Sequence, residues 1–63
     1  MLFSWKEIYV GFSNKTYNQI MNLLEDHKIK TKVKITTNRE YKILVRKADF
    51  EEAQYIISNQ INK

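Results

Sequence analysis

The apolar residues of this 63-residue chain switch between a period of two and a period of 3.6, and the order of those switches leaves few folds open. In WKEIYVGF, residues 5–12, Ile8, Val10 and Phe12 alternate with Trp5, Glu7, Tyr9 and Gly11. That is the repeat of a strand with one apolar face. Gly11 marks a bulge or a close backbone approach near the strand end. In SNKTYNQIMNLLEDHKI the period lengthens: Tyr17, Ile20, Met21 and Leu24 fall at i, i+3, i+4 and i+7, with Leu23 beside them. One apolar stripe on a helix of about four turns follows, with Ser13 as its N-cap. Glu25 and Asp26 stand at the unfavourable end of that helix dipole, and His27 and Lys28 partly offset them there.

IKTKVKITT alternates again, with Ile29, Thr31, Val33, Ile35 and Thr37 on one side and Lys28, Lys30, Lys32, Lys34 and Thr36 on the other. TNRE reads as a tight turn in which Asn38 takes the left-handed conformation. EYKILVRK returns as a third strand, with Tyr41, Ile43 and Val45 on one face and Lys42, Leu44 and Arg46 on the other. In DFEE, Asp49 as N-cap and Glu52 three residues on form a capping-box pattern, and Glu51 and Glu52 face the positive end of the dipole. Phe50, Ala53, Ile56, Ile57 and Ile61 supply the second helical stripe.

The expected fold class is therefore α+β, in the order β-α-β-β-α, as a single domain over residues 1–63. A right-handed crossover from the first strand to the second skips one place in the sheet. The third strand fills that place, giving a three-stranded antiparallel sheet of order 1-3-2. Both helices cover one face, as in a ferredoxin-like plait that lacks its last strand. The outer edge of the first strand is left with free amides, and pairing with another copy would hide them.

Size and composition then restrict function. A domain this small buries only about 60% of the surface its unfolded chain exposes, and its core supplies roughly 3–5 kcal/mol. A pocket of about 300 Å³ is hard to carve from it. No nucleophile–base pair, metal constellation or glycine-rich phosphate loop is apparent, so no enzyme, metal or cofactor is expected. His27 stands alone and reads as a helix C-terminal cation. There is no cysteine, no membrane-length apolar run, and no cleavable signal pattern in MLFSWKE, which together suggest a soluble cytoplasmic protein.

Charge is uneven. The chain carries a net +4, but residues 28–47 alone carry +7, with Glu40 as their only acid. Lys30, Lys32, Lys34, Lys42 and Arg46 fall on the face opposite the helices, where they are candidates for binding an anionic ligand or single-stranded nucleic acid. The structural alternative is a solvated face whose lysines block edge pairing. Trp5, Tyr9 and Leu44 also read onto that face and are the candidate protein interface. The alternative for them is a lid, with Trp5 and Phe3 folded over the sheet edge.

The strand EIYVGF, the helix YNQIMNLLEDHKI and the element YKILVRKADFEEAQYII together resemble the short bacterial family of prokaryotic signal-transducing proteins, whose fold is likened to the PII regulators. The resemblance rests on apolar spacing across nearly the whole chain. It implies a compact regulatory or ligand-sensing module, and it supplies no catalytic residue. The expected function is a small non-enzymatic interaction or regulatory module that binds a protein partner, or itself as a homodimer, through the open sheet face and edge. The alternative is binding of single-stranded nucleic acid or an anionic small molecule through the basic face.

Overall fold

A computed structural model describes residues 4–61, without the side chain of Ile61. The proposed lid residue Phe3 and the Ile61 side chain of the second stripe thus lie outside the described residues. The elements are β1 (Trp5–Gly11), α1 (Asn14–Asp26), β2 (Thr31–Ile35), β3 (Tyr41–Arg46) and α2 (Phe50–Ile61), with a 3₁₀ turn at Lys47–Asp49 before α2. The sheet has the expected order β1-β3-β2, and β3 is antiparallel to both neighbours. The two helices lie on one side of it. Ile20 and Leu24 from α1, Ile43 and Val45 from β3, Ala53 and Ile56 from α2, and Ile29 before β2 form the core.

Local chemistry explains the boundaries. The Ser13 hydroxyl accepts a hydrogen bond from the Thr16 amide at 3.1 Å, so α1 begins where its cap predicts. Its other end is a Schellman motif. The Lys28 amide donates to the Glu25 carbonyl and the Ile29 amide to the Leu24 carbonyl, each at 2.9 Å. Lys28 takes the left-handed conformation, φ 59°, that glycine usually supplies there. Ile29 and Leu24 are both buried, which gives the motif its apolar contact. His27 caps the helix and directs Nδ1 at the Leu23 carbonyl, 2.9 Å away.

Two expected local features differ. The positive φ of the β2–β3 turn falls on Arg39, at 64°, and not on Asn38. The Thr36 hydroxyl accepts from the Glu40 amide and the Thr36 carbonyl from Arg39, which closes the turn one residue later. Asp49 does not form the expected capping box. It ends the 3₁₀ turn, and its carboxylate accepts from Arg46 Nε at 3.3 Å.

The third difference bears on function. β1 pairs with β3 in register from Trp5 to Glu7, but the register shifts between Glu7 and Tyr9. Ile8 is the extra residue of a β-bulge, and a bulge reverses the facing of everything beyond it. Residues directly opposite share a face. Lys6 opposes Val45 and Tyr9 opposes Ile43, so Lys6, Tyr9 and Gly11 lie on the helix side of the sheet, with Lys6 exposed. Trp5, Glu7 and Val10 lie on the open side. Tyr9 accordingly packs against the core. Val10 and Phe12, read as inward-facing, are 43% and 67% exposed. Gly11 is the close approach, since a β-carbon there would stand 2.5 Å from the Tyr9 hydroxyl.

Candidate functional site: the open face of the sheet

Three rows of side chains make up the face that the helices leave uncovered. Trp5 opposes Arg46 in the first. Glu7, Leu44 and Lys32 cross β1, β3 and β2 in the second, and Val10, Lys42 and Lys34 in the third. Lys30, exposed, precedes β2 at the same alternation.

Leu44 is only 9% exposed, though no helix covers it and it stands apart from the core cluster. Its cover comes from its own face. The Lys32 ammonium lies 5.6 Å from the centre of the Trp5 ring. Trp5 is on β1 and Lys32 on β2, with β3 between, so a contact between them must cross the middle strand above Leu44. Trp5 and the aliphatic stem of Lys32 thus make a small roof, held by a cation–π contact. Of the three residues expected at a protein interface, Trp5 and Leu44 meet here. The bulge carries Tyr9 to the other side.

The basic residues are partly engaged by the chain itself. Lys42 Nζ is 3.7 Å from a Glu7 carboxylate oxygen. Arg46 pairs with Asp49 at 3.3 Å. Lys32 stands over Trp5, and like Lys30 and Lys34 it is exposed. The five expected cations therefore share a face but do not converge on a point. A further cation, Lys6, projects on the helix side, 4.2 Å from the centre of the Phe50 ring. The sequence reading missed that contact because it rests on the bulge.

Outside the sheet, Gln19, Asn22, Leu23 and Asp26 of α1 and Gln60 of α2 line a shallow groove of about 380 Å³. Among the described residues no group of three or more His, Cys, Asp or Glu is placed to hold a metal ion. No described helix is long and apolar enough to cross a membrane.

No family model matches the chain, and no curated protein matches it. Among solved structures, the fold is similar to the type III secretion system protein EscJ of enteropathogenic E. coli. The TM-score is 0.82 at 25% identity, and the match covers 89% of this chain. The chain corresponds to 36% of the length of that protein.

This likeness corrects four expectations. The PII-like, signal-transducing family is replaced, because the apolar spacing that suggested it fits the secretion protein's domain over nearly the same span. Spacing of this kind encodes a plait and not a particular family. The regulatory function falls with that family, and so does the alternative of nucleic-acid or anionic-ligand binding through the basic face. The cation pairing just described agrees, since Lys42 and Arg46 already face carboxylates. The cytoplasmic placement is overturned as well, because the likeness is to a component of secretion machinery. The absence of cysteine and of long apolar runs, on which that placement rested, fixes no compartment.

Proposed function

We propose that this chain is a structural building block of a secretion-type assembly, acting by association with further copies of itself and not by catalysis. The observation that carries this reading is the likeness to the type III secretion protein over 89% of the chain. The chain accounts for 36% of that protein's length, so its part is that of one domain, and the larger protein's role comes to it only as a proposal. The shape supports the same reading. Among the described residues, a helix layer on one side of three strands leaves two broad sides, one helical and one a bare sheet face, available to a neighbour. Such surfaces suit repeated contacts better than a deep ligand site.

Sedimentation velocity over a concentration series tests the proposal. The expected result is a weight-average mass that rises with concentration above 7.6 kDa. A single species of that mass up to millimolar concentration would remove the proposal.

A further inference from the structure

The molecule is a thin slab, 31 × 31 × 15 Å, and its two broad sides carry opposite charge. On the helix side, Lys6 and Lys15 stand against Glu25, Asp26, Glu51 and Glu52, a net of −2, and all four acids are exposed. On the open sheet face, Lys30, Lys32, Lys34, Lys42 and Arg46 stand against Glu7 and the Asp49 that pairs with Arg46, a net of +3. The acids also gather at one end of the helix layer. α1 finishes just before Thr31, Thr31 pairs with Val45, and α2 starts after the turn that follows Arg46. The last turn of α1 and the first turn of α2 therefore share the end of the sheet where β3 finishes.

Pairing through the sheet edges fits poorly. Along β2, a symmetric edge-to-edge contact would set Lys32 and Lys34 against the same lysines of the second copy, and like charges directly opposite are destabilising. Along β1, the bulge at Ile8 interrupts the regular edge. The broad faces have no such obstacle. Each also offers an apolar or aromatic anchor: Tyr55, 67% exposed, on α2, and Trp5 with Val10 on the sheet.

We propose that copies of this chain stack face to back, the basic open sheet of one copy on the acidic helix layer of the next. This rests on the self-association proposed above and adds which surfaces meet. The contact joins unlike faces, so it repeats from copy to copy instead of ending at a pair. Complementary charge supplies orientation and association rate more than affinity, and salt weakens it.

Charge reversal tests the geometry. One variant carries Lys30→Glu with Lys34→Glu, two exposed lysines on the sheet side. The other carries Glu25→Lys with Asp26→Lys, which places cations where the α1 dipole favours them. Each variant alone brings like-charged faces together and is expected to associate roughly tenfold more weakly than wild type in sedimentation equilibrium. Mixed in equal amounts, the two present complementary faces at every junction and regain wild-type association. If a double variant loses its helical circular dichroism, Lys34→Gln and Asp26→Asn replace the pair, each weakening association roughly threefold. A wild type that associates while the variants stay as tight, or do not recover on mixing, overturns the stacking and leaves the self-association standing. A monomeric wild type overturns both.

Discussion

Replacing Trp5 with alanine removes the roof over Leu44, and the cost follows from what that roof covers. Leu44 is 9% exposed on a face without helices, and Trp5 and Lys32, which meet across β3, are placed to supply part of its cover. Full burial of a leucine side chain is worth roughly 1.5–3 kcal/mol, and Trp5 is itself half-buried. The cation–π contact adds about 0.5–1 kcal/mol. Because Lys32 and the flanking side chains still shield part of Leu44, the expected loss is about 2 kcal/mol. A core of this size supplies only roughly 3–5 kcal/mol in all. With a urea slope of about 1 kcal/mol per molar, the unfolding midpoint should fall by about 2 M. Far-UV circular dichroism at low protein concentration and high salt reads this on separated copies. Lys32→Ala should give about half the shift, and the double variant should show a coupling of about 0.5–1 kcal/mol. The sole tryptophan of the chain gives a second readout, since Lys32→Ala should shift its emission to the red. A midpoint unchanged by Trp5→Ala would refute the reasoning and leave Leu44 covered by other means.

Three further substitutions test the frame. Lys28→Gly relieves the left-handed backbone at the end of α1, φ 59°, and should stabilise by about 1 kcal/mol, or roughly 4–8 °C in the thermal midpoint. Arg39→Gly, at φ 64° in the β2–β3 turn, should raise the midpoint in the same way. Leu24→Ala empties a fully buried position beneath both the Schellman contact and the core. It should cost about 2–5 kcal/mol, enough to leave a large part of the chain unfolded at 25 °C by amide hydrogen exchange.

The element order and strand order could be read from the sequence because they rest on period and handedness. Tyr17, Ile20, Met21 and Leu24 allow only a helix, Val33, Ile43 and Val45 only strands, and the crossover rule then orders the sheet. What escaped the reading depends on single positions. A bulge at Ile8 has no composition signal, because isoleucine is as good in a regular strand as in a bulge. The glycine that drew attention, Gly11, makes room for the Tyr9 ring instead. One extra residue moved Tyr9 under the helices and turned Val10 outward. Lys28 and Arg39 show the same limit. Neither residue type announces a positive φ, and each adopts one because the surrounding hydrogen bonds require it. The candidate face was half legible. Its cations and Leu44 followed from simple alternation along β2 and β3. The roof joining Trp5 to Lys32 needed three-dimensional neighbours, and the secretion-type likeness needed a whole fold, not a motif.

Small-angle X-ray scattering of the species with twice the monomer mass tests the stacked building block most directly. The free chain has a radius of gyration of 11.4 Å. Facing backbone layers pack about 10 Å apart, so two slabs stacked through their 15 Å thickness have centres about 25 Å apart and should give about 17 Å, whereas joining them edge to edge along a 31 Å side, with about 5 Å between the paired strands, should give about 21 Å. A value near 17 Å that reverts to the monomer value at high salt is the predicted result. A value near 21 Å, or one that stays at the monomer value at every concentration, would contradict it.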